Sequence, residues 1–160
     1  MGHPKKQRKK YERPLRPFDK DRIDKEKKLL QSFGLRRKRE VWRTQSILRN
    51  FRQRARALQA KHDEQKERIL FEKLNKLGIS CSKLEDILDI GLEDILDRRL
   101  QTLVYKKGYA HSVKHARQLI VHGHVIVDRR KILWPSYLVP KVLEEKIILA
   151  HVPAGEPKTA

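Results

Sequence analysis

Apolar residues recur three and four positions apart through most of this chain, and only one short stretch alternates. That pattern predicts several helices and one small sheet. Between Ser112 and Gly123, Val113, Ala116 and Ile120 make a single apolar stripe. Ser112 stands where an N-cap belongs and Gly123 where the helix should stop. Lys114, His115, Arg117, Gln118 and His122 point elsewhere. A small helix with a buried stripe and a cationic outer face suits a phosphate backbone.

Upstream, the spacing predicts a short helix from Asp24 to about Phe33, closed by Gly34, and a longer one from Glu40 to Ala60. Val41, Leu48, Phe51, Ala55 and Leu58 line one side of the second helix, while Arg43, Arg49, Arg52, Arg54 and Arg56 occupy its other faces. Trp42 could stack on a base or pack inside. His62–Leu77 reads as a third helix with Ile69, Leu70, Leu74 and Leu77 inward, ended by Gly78. The hexad at Leu84–Asp89 recurs at Leu92–Asp97, too few copies for a solenoid. Ser82 with Glu85 resembles a capping box. The second copy runs on as one helix from Leu92 to Lys107, with Leu96, Leu100, Leu103 and Val104 inside and Arg98, Arg99, Lys106 and Lys107 off the stripe. After Gly123, Val125 and Val127 alternate with His124 and Ile126 and predict a strand. Asp128-Arg129-Arg130-Lys131 turns the chain back into Ile132-Leu133. Arg129 suits a tight type I′ turn poorly, because it would need positive φ, so a longer loop is expected. Lys146–His151 forms a last strand.

Charge sharpens the picture. The 160 residues include 39 Lys+Arg and 20 Asp+Glu, a formal charge of +19. Residues 1–56 carry a net +15, residues 57–97 a net −4 and residues 98–160 a net +8. A surplus of this size opposes folding through self-repulsion unless a polyanion neutralises it. The segment 1–20 has Pro4, Pro14 and Pro17, few aliphatics and the run Lys5-Lys6-Gln7-Arg8-Lys9-Lys10. It cannot bury enough apolar area to offset its ordering entropy, and reads as an extended arm that orders on RNA, or as a solvated tail. Arg36-Arg37-Lys38-Arg39 precede the long helix. Its arginines favour RNA contact, because the planar guanidinium pairs phosphate oxygens two at a time. One cysteine, Cys81, excludes an internal disulfide and a multi-thiolate zinc site. No apolar run is long enough to span a bilayer, and no signal-peptide pattern is present.

Five motifs then carry a resemblance: MGHPKKQRKKYERP at Met1–Pro14, KRE-VWR at Lys38–Arg43, RRLQTLVYKKG at Arg98–Gly108, ARQLIVHGHV at Ala116–Val125 and WPSYLV at Trp134–Val139. On these the chain resembles the small-subunit ribosomal protein S-four family in its archaeal form, carrying the S-four RNA-binding domain. The resemblance implies an α+β fold: a basic arm at 1–20, a helical domain at 21–97, an S-four domain at 98–152 with two helices on a small antiparallel sheet, and a disordered tail at 153–160. It places His122 and His124 at the RNA-facing helix–strand junction. It implies a structural constituent of the small subunit, a primary binder of ribosomal RNA that nucleates assembly of the 5′ domain and influences decoding accuracy. The implied partners are small-subunit ribosomal RNA, neighbouring proteins of the S-five family, and the region where mRNA enters. The implied location is the cytoplasm, bound to ribosomes. Relatives often show Asn-Gly where this chain has Asp128-Arg129, and some bacterial relatives bear a metal-binding cysteine cluster that it lacks.

The expected RNA contacts are therefore Lys5, Lys6, Arg8, Lys9 and Lys10 in the arm; Arg36, Arg37, Lys38, Arg39, Arg43, Arg49, Arg52 and Arg54 around the long helix; and Arg98, Arg99, Lys106, Lys107, Lys114, His115, Arg117, Gln118, His122, His124, Arg129, Arg130, Lys131 and Ser136 in the domain. His111, His115, His122 and His124 match no common zinc spacing, so neither metal nor cofactor is expected. The acidic hexads read as ordinary helix-dipole partners. No Gly-rich phosphate loop and no nucleophile–base pair supports catalysis. A membrane partner and a second copy of the chain are also not expected. The rival reading is a small-subunit RNA-processing factor with the same domain.

Overall fold

The computed structural model describes Gly2 and residues 9–150. Lys5, Lys6 and Arg8 of the arm and everything from His151 onward lie outside the described residues. The fold is α+β. Helices α1 (Lys20–Ser32), α2 (Lys38–Ala60), α3 (Glu64–Lys76), α4 (Leu84–Asp89) and α5 (Leu92–Asp97) come first. Helices α6 (Leu100–Lys106) and α7 (Val113–Val121) follow, then β1 (Val125–Val127), β2 (Arg130–Lys131), α8 (Lys141–Glu144) and β3 (Ile147–Leu149). The strands form an antiparallel sheet in the order β2-β1-β3.

Local signals set most boundaries. Asp19, Asp63 and Ser112 each accept a hydrogen bond from the amide three residues on, the ordinary N-cap geometry. Gly34, Gly78, Gly108 and Gly123 all take positive φ just past a helix end. The repeated hexad is one capped turn used twice. Asp86 and Asp94 reach back to accept the backbone N–H groups of Lys83 and Gly91, at 2.9 and 2.7 Å. The cap partner of Ser82 is thus Asp86, not Glu85: the Ser82 amide and hydroxyl both donate to it at 3.0 Å.

Three apolar clusters hold these elements. Leu35, Val41 and Leu96 tie α1 and α2 to α5. Leu48, Ala55, Leu58, Leu70, Leu74, Ile87, Ile90 and Ile95 pack α2 against α3, α4 and α5. Leu100, Val104, Ala116, Leu119, Ile120, Val125, Val127, Val139 and Ile147 join α6 and α7 to the sheet.

Four further expectations are corrected. The helix expected from Leu92 to Lys107 is two helices, broken at Arg98-Arg99. The strand-like segment 137–139 docks there: Leu100 N–H donates to the Tyr137 carbonyl, and Val139 N–H donates to the Arg98 carbonyl. Arg99 accordingly becomes extended, with ψ 141°. Ile69, expected inward, is 50% exposed. The returning strand is Arg130–Lys131 rather than Ile132-Leu133. Finally, no longer loop is used at the hairpin. Val127 pairs with Arg130, leaving a two-residue turn in which Asp128 and Arg129 take φ 48° and 66°. Packing of the flanking strands overrides the reluctance of a non-glycine residue to enter that region.

Candidate nucleic-acid interface

Helix α7 presents the predicted two faces. Ala116, Leu119 and Ile120 are buried, and Lys114, Gln118 and His122 are exposed. His115 is half-buried, and its ring stacks on that of His111 at 5.6 Å. The His122 and His124 rings face each other at 6.4 Å across the helix–strand junction. The tight turn puts Arg129, Arg130 and Lys131 at the exposed hairpin tip. Lys106 is exposed beside Asp97 at 2.8 Å, and Lys107 is half-buried. Around the start of α2, Arg36, Arg37, Arg39 and Arg43 are exposed, as is Arg54 farther along. Lys38 lies near the buried Glu26 at 3.8 Å. Lys9 and Lys10 are exposed, and Arg49 pairs with Glu12.

Other basic residues of the expected set serve the fold itself. The Arg98 guanidinium donates to Glu144 at 2.9 Å and to the Val139 carbonyl at 3.2 Å. The Arg52 guanidinium donates to the Ile90 carbonyl at 2.7 Å. Arg99 is only 4% exposed and donates to Glu40 at 2.5 Å. Arg117 turns back along α7 to the same carboxylate, with contacts of 3.1 and 3.2 Å. Burial alone would raise the Glu40 carboxyl, but hydrogen bonds from Arg117 and Arg99 and their charges outweigh it and hold it below its ordinary value. Burial also pulls Arg99 below the usual guanidinium value, against the opposing pull of Glu40.

Sequence reasoning missed Glu40. It was legible only as the one acid among Arg36, Arg37, Lys38, Arg39 and Arg43. The Glu40 clamp fixes α2 against α6 and α7, so the cations at the start of α2 and those of the domain form parts of one rigid surface. A shallow cleft of about 430 Å³ marks the seam, lined by Arg43, Trp134, Ser136 and Tyr137 among others. Trp42 proves to be held from within: its indole N–H donates to Glu26 at 2.9 Å, and Tyr11 packs on its ring at 6.0 Å. What the surface offers is fixed cation positions with aromatic rings among them and a carboxylate turned inward. That arrangement suits recognition of a folded polyanion by shape and phosphate spacing.

Comparison with known proteins gives the family. The S4 domain family matches residues 98–141, the span from the Arg98 break to the start of α8. The chain is 48% identical over 155 residues to small ribosomal subunit protein uS4 of Picrophilus torridus, covering 92% of this chain and 85% of that protein. It is 45% identical over 152 residues to the uS4 proteins of Methanothermobacter thermautotrophicus and Ignicoccus hospitalis, covering 92% of this chain and 89% and 92% of theirs. Identity of that order over 92% of the chain means that it belongs to the uS4 family of small ribosomal subunit proteins.

Proposed function

We propose that the chain is a structural, non-enzymatic constituent of the small ribosomal subunit, bound to ribosomes in the cytoplasm, that grips one folded segment of small-subunit ribosomal RNA. The observation that carries the reading is the inward carboxylate of Glu40, which locks two cationic regions into one surface. The division into a basic arm at 1–20, a helical domain at 21–97 and an RNA-binding domain at 98–152 belongs to this reading. RNA contacts then fall to the arm, to the exposed cations Arg36, Arg37, Arg39, Arg43, Lys114 and those of the hairpin tip, and to the exposed His122. Arg52, Arg98, Arg99 and Arg117 act from behind, by holding that surface in place.

Within that role the chain docks early on the RNA, organises the 5′ domain, and stands beside an S-five-family neighbour where mRNA enters, with an influence on decoding accuracy. The acidic stretch 57–97 is suited to a basic protein neighbour rather than to RNA. Crosslinking in lysate followed by sequencing of the bound RNA tests the proposal. A narrow footprint in small-subunit ribosomal RNA is expected. Footprints scattered over transfer RNA or small nucleolar RNA would overturn it.

A further inference from the structure

The least buried large aromatic of the domain stands between two cationic clefts. Trp134 is 68% exposed, and it lines both the seam cleft with Arg43 and Ser136 and a larger cleft of about 1170 Å³ under the hairpin tip. The larger cleft is lined by the cations Arg129, Arg130 and Lys131 together with Tyr137, Leu143 and Ile148. Its one acid, Asp128, is offset by Lys146 at 3.2 Å. The loop that carries Trp134 is pinned. Its carbonyl accepts from Tyr137 N–H at 3.1 Å, the Tyr137 carbonyl accepts from Leu100 at 2.8 Å, and the Pro135 carbonyl accepts from Gln101 at 3.4 Å. A broad apolar ring is thus held out to solvent on a fixed backbone, with cations on both flanks.

The geometry points to a binding site for an unpaired nucleotide of RNA, its base stacked on Trp134 and its flanking phosphates met by Arg43 on one side and the hairpin tip on the other. An aromatic face can take up a base only where that base has left its own stack, so a splayed loop or bulge fits and a continuous duplex does not. Cations alone would serve any phosphate array, whereas an apolar ring exposed to this degree has no use there. The site presupposes that the chain binds RNA, and it adds the kind of element that is taken up and the residue that takes it.

The test is tryptophan fluorescence of the full chain titrated with an oligoadenylate of about eight nucleotides, beside filter binding to the 5′ domain of small-subunit ribosomal RNA. Binding of the oligonucleotide should quench the emission. Trp134→Ala should bind it about ten-fold more weakly, on the scale measured for lost base–aromatic stacking. Trp134→Phe should keep the affinity and lose the quench, which separates stacking from folding. If Trp134→Ala binds the oligonucleotide as well as the parent chain, or if the emission of the parent chain is unmoved while 5′-domain RNA still binds, this site is refuted and the ribosomal reading stands. If neither RNA binds, the ribosomal reading itself fails.

Discussion

Glu40, in the first turn of α2, takes both prongs of the Arg117 guanidinium of α7, 77 positions later, at 3.1 and 3.2 Å. One oxygen of the same carboxylate also receives Arg99. A parallel two-point contact of this kind fixes orientation as well as distance. It binds the basic helix to the RNA-binding domain more specifically than apolar packing alone would.

Removing Glu40 should therefore cost more than an exposed ion pair does. Glu40→Ala leaves the nearly buried Arg99 without its counter-charge, and about 3 kcal/mol of stability should go, the low end of the range for broken buried pairs. Arg117 shares that carboxylate, so Arg117→Ala should also lower the unfolding midpoint, and its effect should be non-additive with that of Glu40→Ala. Denaturant titration of the two single variants and the double variant checks both statements.

The same clamp sets a pH dependence. Because the folded pKa of Glu40 lies below its unfolded value, its stabilising contribution is complete above the ordinary glutamate range near 4.3. It is lost as pH falls through the lowered folded value. Stability measured between about pH 6 and 3 should decline less steeply for Glu40→Gln than for the parent chain. Equal slopes would show that the carboxylate is not held as described.

At the hairpin, stability and binding should move in opposite directions. Arg129 sits at φ 66°, where a side chain is strained and glycine is not. Arg129→Gly should stabilise the fold by up to about 1 kcal/mol. It should also weaken RNA binding, through loss of a cation at the tip. Thermal melts and filter binding on the same variant read both signs.

RNA affinity should fall steeply with salt. If about eight phosphates are neutralised, the slope of log affinity against log salt is roughly −6 to −7. Deleting residues 1–8 removes Lys5, Lys6 and Arg8 and should make the slope shallower by about two. An unchanged slope would remove the arm from the grip.

Gly34 marks a point of closest approach. A Cβ there would lie 3.1 Å from both Val113 Cγ1 and Gln101 Nε2, at a φ of 55°. The Gln101 amide donates to the carbonyls of Gly34 and Val113, at 3.1 and 2.9 Å, and so links α1 to α7. Gly34→Ala should cost about 2 kcal/mol, combining backbone strain with a disturbed buried hydrogen bond, and a melting curve shows it.

The sequence by itself determined what depends on neighbours along the chain. Caps at Ser112 and Gly123, the stripe of α7 and the opposition of two basic regions to an acidic middle were legible there, because spacing and side-chain chemistry act locally, while the family and the class of fold it implies came from the resemblance carried by the motifs. Only the tertiary structure decided which cations are free. Arg43 and Arg99 look alike as letters, yet one is exposed and the other is shut against Glu40. The break before Leu100 needs a partner strand from 137–139, and the tight turn at Arg129 needs paired strands on both sides of it. Such outcomes rest on contacts between residues tens of positions apart, and periodicity along a single chain carries no information about them.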